Sequence, residues 1–183
     1  MAPAGPSPAG GDGSDGTAAL RTLRHRPPAA AKAPLDPLDL DPDFDALAWR
    51  AVRGDGFNAY LGPAAFARAG EDTWYGALTL ERQHINVGGV CHGGVLMSLA
   101  DITMGTATFE AGGGHPCATI EMNSHFVAAA KAGQPLVCRA TQVRRTSGLS
   151  FMAAELAAGG RLVLRASGIW KYLSSRSAGQ SGP

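Results

Sequence analysis

The sequence has little net charge and no long apolar run, and each shortage excludes a class of protein. Its 183 residues carry a formal net charge of +1, and 17% of them are charged, so the basic surface that nucleic-acid binding requires is missing. No stretch of about 18 consecutive apolar residues is present, so no transmembrane helix is predicted. We therefore expect a soluble cytoplasmic protein that binds neither nucleic acid nor membrane.

Cysteine is also scarce, with three residues in the whole chain. Cys91, Cys117 and Cys138 show no CxxC or metal-ligand spacing. An odd number in a chain without a recognisable signal peptide is typical of reduced intracellular thiols. His84 and His125 have no third ligand at metal-binding spacing, so we interpret them as strand residues and predict no metal site.

Large apolar residues are nearly absent before Leu35, where Ala, Gly, Pro, Ser and Asp dominate. Such a segment cannot bury enough surface to offset the entropy of ordering it. We predict disordered tails over residues 1–40 and 175–183, with one domain over 41–174. Four basic residues between Leu20 and Lys32 resemble those of a transit peptide, but Pro27-Pro28 would break its amphipathic helix.

The helices are predicted from caps and apolar spacing. Asp41-Pro42 is a good helix start, so we expect a short helix over 42–52. The segment 54–69 is interpreted as a strand or turn broken by Gly62-Pro63. A long helix is expected from about Gly93 to just before Gly112.

Alternating apolar residues predict several antiparallel strands. Gly159-Gly160 predicts a hairpin turn between the last two. The predicted strands cover 73–84, 117–127, 134–145, 149–157 and 161–172. One long helix followed by these strands predicts an α+β fold in which an antiparallel sheet wraps around the helix.

The stretch from Asn86 to Asp101 is a glycine-rich turn followed by an apolar segment that carries one carboxylate. A carboxylate in a buried helix is costly unless it is paired or functional, so Asp101 is a candidate catalytic residue. The first N–H groups of a helix that begins at Gly93 favour negative charge. Asp101 lies about 12 Å further along that helix. We therefore expect any chemistry that uses both to occur where two antiparallel helices from two subunits meet.

These residues resemble the signature of the hotdog-fold acyl-CoA thioesterases of the phenylacetate-pathway (PaaI-like) type. The resemblance covers about residues 56–173 and implies a hotdog fold. It is carried by His84-Ile85-Asn86, Gly88, His92-Gly93-Gly94 and Leu99-Ala100-Asp101, and continues in 118–122, Phe126, Ala129, Gly133 and Gly168.

The resemblance also implies a mechanism. Gly93 and Asn86 would polarise the thioester carbonyl, while Asp101 of the partner subunit would activate water or attack the carbonyl to form an anhydride. Thr119 would orient the water. Neither a metal nor an organic cofactor is implied, since CoA is part of the substrate. The family forms homodimers that often pair into homotetramers.

Several further residues have two interpretations each. His92 and Gly94, in the turn, are candidate substrate-binding residues. His92 is interpreted either as a general base or, as the resemblance implies, as a residue whose ring fixes the turn. Arg144 and Arg145, followed by Ser147, would contact the nucleotide end of CoA, or would simply be solvated charges on an edge strand.

Two other positions are more weakly marked. Glu121, predicted on the same strand face as Thr119, is a possible second polar group of the pocket. A nucleophilic Cys91 is disfavoured, because adjacent residues such as Cys91 and His92 seldom face each other.

The main functional prediction is an acyl-CoA thioesterase for an acyl or arylacyl group. The alternative is a non-catalytic acyl-CoA-binding hotdog protein, a sensor or scaffold, which has no need of Asp101. Acyl-thioester hydratases share the fold but use an Asp/His pair before the central helix, and no such pair is evident here. Met97, Met104, Phe109 and Met122 are either pocket or ordinary core residues.

Overall fold

The computed structural model describes residues 43–52 and 56–174. The tails predicted over 1–40 and 175–183 lie outside these residues. Two helices are present in the described part, α1 (Phe57–Leu61) and α2 (Gly93–Ala111). Short 3-10 turns cover Phe44–Ala46 and Arg82–His84.

One antiparallel sheet of seven strands accounts for most of the described chain, in the order β1-β2-β3-β5-β6-β7-β4. Strands β5, β6 and β7 are joined by two consecutive hairpins in this sheet, and β4 lies at the edge of the sheet beside β7. The strands are β1 (Arg50–Ala51), β2 (Ala65–Arg68), β3 (Thr73–Thr79), β4 (Cys117–Phe126), β5 (Pro135–Arg145), β6 (Leu149–Ala158) and β7 (Arg161–Tyr172).

Helix α2 packs against one face of this sheet and forms the core with it. Leu99, Ala100 and Met104 of the helix are fully buried, as are Trp74 and Trp170 of the sheet. Burying such large apolar side chains contributes roughly 1.5–3 kcal/mol each. The predicted central helix is therefore confirmed, with the bounds expected from the glycines at its two ends.

The approach of α2 to the sheet depends on Gly76 in β3. A Cβ at this position would collide with the side chain of Thr103, which is itself buried in the helix. The Thr103 hydroxyl donates to the Leu99 carbonyl at 2.6 Å, so this buried polar group is hydrogen-bonded within its own helix. Any larger residue at position 76 would push the helix off the sheet.

The helix predicted over 42–52 is wrong in the part that the structure describes. Phe44 packs edge-on against Tyr75, at 5.0 Å between ring centroids, and its carbonyl accepts from the Trp49 indole at 3.1 Å. These contacts hold a single 3-10 turn, after which Arg50–Ala51 pairs with β2. Tertiary packing and strand pairing therefore override the favourable helix start.

Two neighbouring segments also differ from prediction. The segment 54–69 contains α1 before Gly62 and β2 after it, and not a strand alone. The strand predicted over 73–84 ends at Thr79, because Glu81 and His84 cap the 3-10 turn in both directions. His84 is consequently a buried turn residue whose Nε2 lies 2.7 Å from the Leu61 carbonyl, and not a strand residue.

A β-bulge in β4 overturns the predicted face of Glu121. Thr119 pairs with Trp170, whereas Glu121 pairs with the adjacent residue Ile169. Neighbouring residues of β7 point to opposite faces of the sheet. Thr119 therefore faces the helix, and Glu121 lies on the outer face.

Candidate active site

The helix start that follows the glycine-rich turn is capped by His92. Its Nδ1 accepts from the Gly94 N–H at 2.9 Å, and its carbonyl accepts from the Val95 N–H at 2.9 Å. The ring thus fixes the turn, which is the structural interpretation of His92. Within the described residues the Gly93 N–H has no hydrogen-bond acceptor, so it is available to an external oxygen at the positive end of a 19-residue helix.

Asn86 lies in the loop that leads into this helix. Its side-chain Oδ1 accepts from the Gly88 N–H at 2.8 Å and from the Val90 N–H at 3.4 Å. A bridge between Ile85 and Cys91 closes the loop. Asn86 is therefore both the turn residue and a candidate donor, because these bonds use its oxygen and leave its amide NH₂ without a partner among the described residues.

Asp101 and Thr119 come together at a second position on the same helix. The Thr119 hydroxyl donates to the Asp101 Oδ1 at 2.8 Å. Both residues border a cleft of about 500 Å³, the Asp101 cleft, whose other walls include Asn58, Phe109 and Trp170. A solvent-accessible carboxylate held by a hydroxyl is suited to accept a proton from water or to attack a carbonyl.

The two positions do not meet within one chain. Gly93 and Asp101 are separated by eight residues, which is about 12 Å along the helix axis. Strand β4 runs beside this stretch, with Thr119 at Asp101 and the ring of Phe126 against Gly93, where an added Cβ would lie 3.0 Å from Phe126 Cε1. One copy of the chain therefore holds two half-sites at separate positions on one helix.

Arg144 and Arg145 do not act as a pair. Arg145 pairs with the buried Ser150 on the helix side of the sheet, and its guanidinium donates to the Ala111 carbonyl at the end of α2. Arg144 pairs with Phe151 on the opposite face. Arg145 and Ser147 instead share a cleft of about 430 Å³ at the C-terminal end of the helix.

The cysteines are poor nucleophiles. Burial raises the pKa of the Cys91 thiol to about 11. Burial, and next the charge of Asp101, raise the pKa of Cys117, which borders the Asp101 cleft. A thiol that stays protonated near neutral pH reacts slowly, which agrees with the interpretation of Cys91 as structural.

The described residues contain neither a metal-binding cluster nor a membrane-spanning helix. No group of three or more His, Cys, Asp or Glu side chains there is arranged to hold a metal ion. Nor does any helix in that part of the chain have the length and apolarity to span a membrane.

Asn58 is a residue that the sequence analysis missed. It lies on α1, is half-buried and borders the Asp101 cleft. A single asparagine in a segment without clear periodicity carries no sequence signal. Its position beside residues of α2 in this cleft depends on the placement of α1, which only the tertiary structure shows.

Comparison with known proteins identifies relatives of both the sequence and the fold. The sequence profile of the thioesterase superfamily matches residues 88–164. A Pseudomonas aeruginosa protein named as an esterase, PA0474, is 34% identical over 95 residues, which are 51% of this chain and 71% of that protein. Mouse (Mus musculus) acyl-coenzyme A thioesterase 13 is 27% identical over 101 residues, 55% of this chain and 72% of its own.

A solved structure supports the fold. A hypothetical thioesterase from Streptococcus pneumoniae, crystallised with coenzyme A, matches with a TM-score of 0.56 and 18% identity, over 61% of this chain and 86% of that chain. At this identity the likeness concerns the fold alone. The antiparallel sheet around one long helix confirms the predicted α+β hotdog architecture.

Proposed function

The chain belongs to the thioesterase superfamily, and on this premise we propose that it hydrolyses an acyl-CoA thioester to the free acid and CoA. The hydrogen bond between Thr119 and Asp101 at the wall of an open cleft carries this proposal. A protein that only binds acyl-CoA has no need of an oriented, accessible carboxylate. The acyl-CoA name of the mouse relative and the coenzyme A in the streptococcal structure support the choice of thioester.

The proposed site is completed by a second copy of the chain. Two α2 helices that lie antiparallel place the partner subunit's Asp101 near Gly93. The two-fold axis between them crosses the helix at Met97, midway between the two residues. Because β4 runs beside the helix from Thr119 to Phe126, the same axis meets β4 near Met122 and Asn123.

Strand β4 has the properties of an interface strand. It contains 10 residues, pairs with β7 on one side and has no strand of the described chain on the other. Ile120 and Phe126 are 57% and 55% exposed. A long edge strand with exposed apolar side chains is a template for pairing with another chain. We therefore propose a homodimer as the unit that completes the site, with two dimers pairing into the homotetramer that the resemblance implies.

In this dimer the thioester carbonyl lies at the start of α2. The Gly93 N–H and the Asn86 NH₂ donate to its oxygen, on which negative charge develops as the carbonyl carbon becomes tetrahedral. The partner subunit's Asp101 takes a proton from water while the Thr119 hydroxyl of that subunit holds the carboxylate in place. The carbon–sulfur bond then breaks, the acid is released, and the thiolate of CoA is protonated.

The alternative route for Asp101 is direct attack, which forms an acyl anhydride that water then cleaves. One turnover in water labelled with heavy oxygen reveals the anhydride route when the label is found in the protein. Activated water puts the label in the released acid at once. Attack by Asp101, followed by water addition at the aspartyl carbon, puts it in the protein carboxylate.

The nucleotide end of CoA has a candidate contact at Arg145 and Ser147. Both border the cleft at the C-terminal end of α2, and a guanidinium binds phosphate well. Arg144 lies on the other face of the sheet and is a weaker candidate for this contact. Because the cysteines in the described residues are free, we place the reaction in the cytoplasm, where thiols stay reduced.

The direct test is thiol release from a panel of short, medium, long and phenylacetyl-type acyl-CoAs. Wild type, Asp101→Asn and the control Asp72→Asn, which changes an exposed carboxylate in a loop, are compared. Turnover in wild type and in the control, with loss in Asp101→Asn, supports the hydrolase. Binding of acyl-CoA without thiol release by the wild type contradicts the proposal and favours the sensor or scaffold.

A further inference from the structure

The Asp101 cleft continues into a second cleft on the same side of α2. This second cleft, the Arg50 cleft, has a volume of about 530 Å³. Three residues border both clefts: Asn58, Thr106 and Phe109. The two clefts therefore adjoin at these three residues, which we call the constriction.

The constriction lies at a defined distance from the reacting groups. Thr106 follows Asp101 by five residues, which is about 7.5 Å along the helix axis, and Phe109 follows by eight, which is about 12 Å. Asn58 faces them from α1, and within the described residues its side-chain amide makes no hydrogen bond that would hold it for a structural reason. An acyl chain that extends from a carbonyl at Asp101 along the helix meets Asn58 and Phe109 first.

The Arg50 cleft beyond the constriction is polar at its far end. Arg50 forms an ion pair with Glu110, and Glu110 also accepts from the Trp74 indole at 3.0 Å. An apolar chain that reached this point would displace water from the ion pair without replacing its hydrogen bonds, which is unfavourable. Ala51, Val52 and Phe66 also line this cleft, so it has apolar walls that a chain admitted past the constriction would contact.

We propose that Asn58 and Phe109 form the stop that sets the acyl-chain length of this enzyme, so that the substrate is a short acyl thioester held in the Asp101 cleft. This inference rests on the proposed thioesterase activity and adds the specificity-determining residues. Its physical basis is volume, since Asn58 borders both clefts where they adjoin. Removing that volume joins the two clefts.

The test is the ratio of kcat/KM for octanoyl-CoA to that for butyryl-CoA in three variants. Asn58→Ala opens the passage and is expected to raise this ratio at least about tenfold, as expected when a pocket gains room for additional methylene groups. Asn58→Leu keeps the branched shape and at least the volume of the side chain but removes the amide, and is expected to keep the short-chain preference. Tyr60→Ala changes an 85% exposed residue of the same helix, which borders neither cleft, and is the control.

The outcomes distinguish this inference from the function on which it rests. No thiol release by the wild type from any acyl-CoA contradicts the proposed function itself. Turnover by the wild type with the same chain-length ratio in Asn58→Ala, confirmed as folded by circular dichroism, overturns the length stop. An equal change in Asn58→Ala and Asn58→Leu overturns it as well, because polarity and not volume would then set the preference.

Discussion

The Thr119 hydroxyl donates a hydrogen bond of 2.8 Å to the Asp101 carboxylate, and so links the edge strand β4 to the central helix at the candidate site. This bond depends on the bulge between Thr119 and Glu121, which turns Thr119 toward the helix and Glu121 away from it. It holds the carboxylate in one orientation. In the proposed mechanism Asp101 accordingly provides the chemistry, and Thr119 positions it.

Substitutions at this pair are expected to have graded effects on turnover. Asp101→Asn removes the base or nucleophile and is expected to lower kcat about 10³-fold. Thr119→Val removes only the hydrogen bond and is expected to lower kcat about tenfold. Thr119→Ser keeps the hydroxyl and is expected to keep most of the wild-type kcat. Steady-state thiol release measures all three. A Thr119→Val enzyme as inactive as Asp101→Asn would contradict the division of roles.

His92 is expected to affect stability more than catalysis. His92→Ala removes the acceptor for the Gly94 N–H and is expected to lower the free energy of unfolding by about 1 kcal/mol, which is typical of a lost helix cap. His92→Asn supplies another capping oxygen and is expected to keep both stability and kcat. Urea unfolding and thiol release measure the two effects. Loss of kcat in a stable His92→Asn variant would show instead that the ring acts as a general base.

Asn123 tests the position of the proposed two-fold axis on β4. Asn123→Asp places a carboxylate next to Glu121, whose side chain contacts Asn123 in the structure. In the proposed dimer it also lies next to the same two groups of the other copy. Like charges this close disfavour strand pairing. We expect sedimentation to show a shift toward monomer together with loss of turnover.

The matched control is Thr79→Asp, at an exposed position of β3 away from the sheet edge. It adds the same charge to a strand that already has neighbours on both sides. Its oligomeric state is expected to equal that of the wild type. If Asn123→Asp also equals the wild type, β4 is not the interface.

The buried thiols predict how stability changes at alkaline pH. Burial raises the pKa of Cys91 to about 11 and that of Cys138 to about 12, while an unfolded thiol ionises near about 8.5. At pH values between the unfolded and the folded pKa, the unfolded chain binds fewer protons than the folded chain. The free energy of unfolding therefore falls as the pH rises from about 9 to about 11.

Urea unfolding at several alkaline pH values measures this slope, and the Cys91→Ala/Cys138→Ala double variant separates it from other titrations. The double variant is expected to lose part of the slope. The same burial predicts slow labelling of the native Cys91 and Cys138 thiols by the reagent that detects released CoA. Rapid labelling of three thiols in the native protein would contradict the burial of Cys91 and Cys138.

The sequence was sufficient for the elements whose signals are local. Helix α2 lies between glycines and is apolar on nearly every face, so its bounds and burial followed from pattern alone. The four strands after it alternate regularly and end at turn residues. These segments also contain the residues that carry the family resemblance, which is why the fold was predicted correctly.

The errors occurred where tertiary contacts override a local signal. The residues after Asp41-Pro42 favour a helix, but Phe44 packs on Tyr75 and Arg50 pairs into the sheet. The bulge in β4 has no sequence signature, so the face of Glu121 was predicted wrongly. Asn58 reached the cleft through the packing of α1, which periodicity does not reveal.

The roles of Asn86, Gly93 and Asp101 stay predictions, although the structure shows why the residues suit them. The Asn86 amide and the Gly93 N–H have free donor capacity within the described part of the chain, and Asp101 is oriented by Thr119. A single chain cannot bring these residues together, because eight residues of helix separate Gly93 from Asp101. The central claim is therefore that two subunits share each site.

Subunit complementation tests this claim most directly. Asn86→Ala and Asp101→Asn are each expected to be inactive as homodimers. When the two variants are unfolded together and refolded in equal amounts, half of the dimers are mixed, and each mixed dimer contains one site with an intact Asn86 and an intact partner Asp101. We predict recovery of about a quarter of the wild-type thiol release, as expected for a two-fold symmetric dimer with shared sites. No recovery, from mixtures that sedimentation shows to contain mixed dimers, would mean that each site takes both residues from one chain, and would contradict the account.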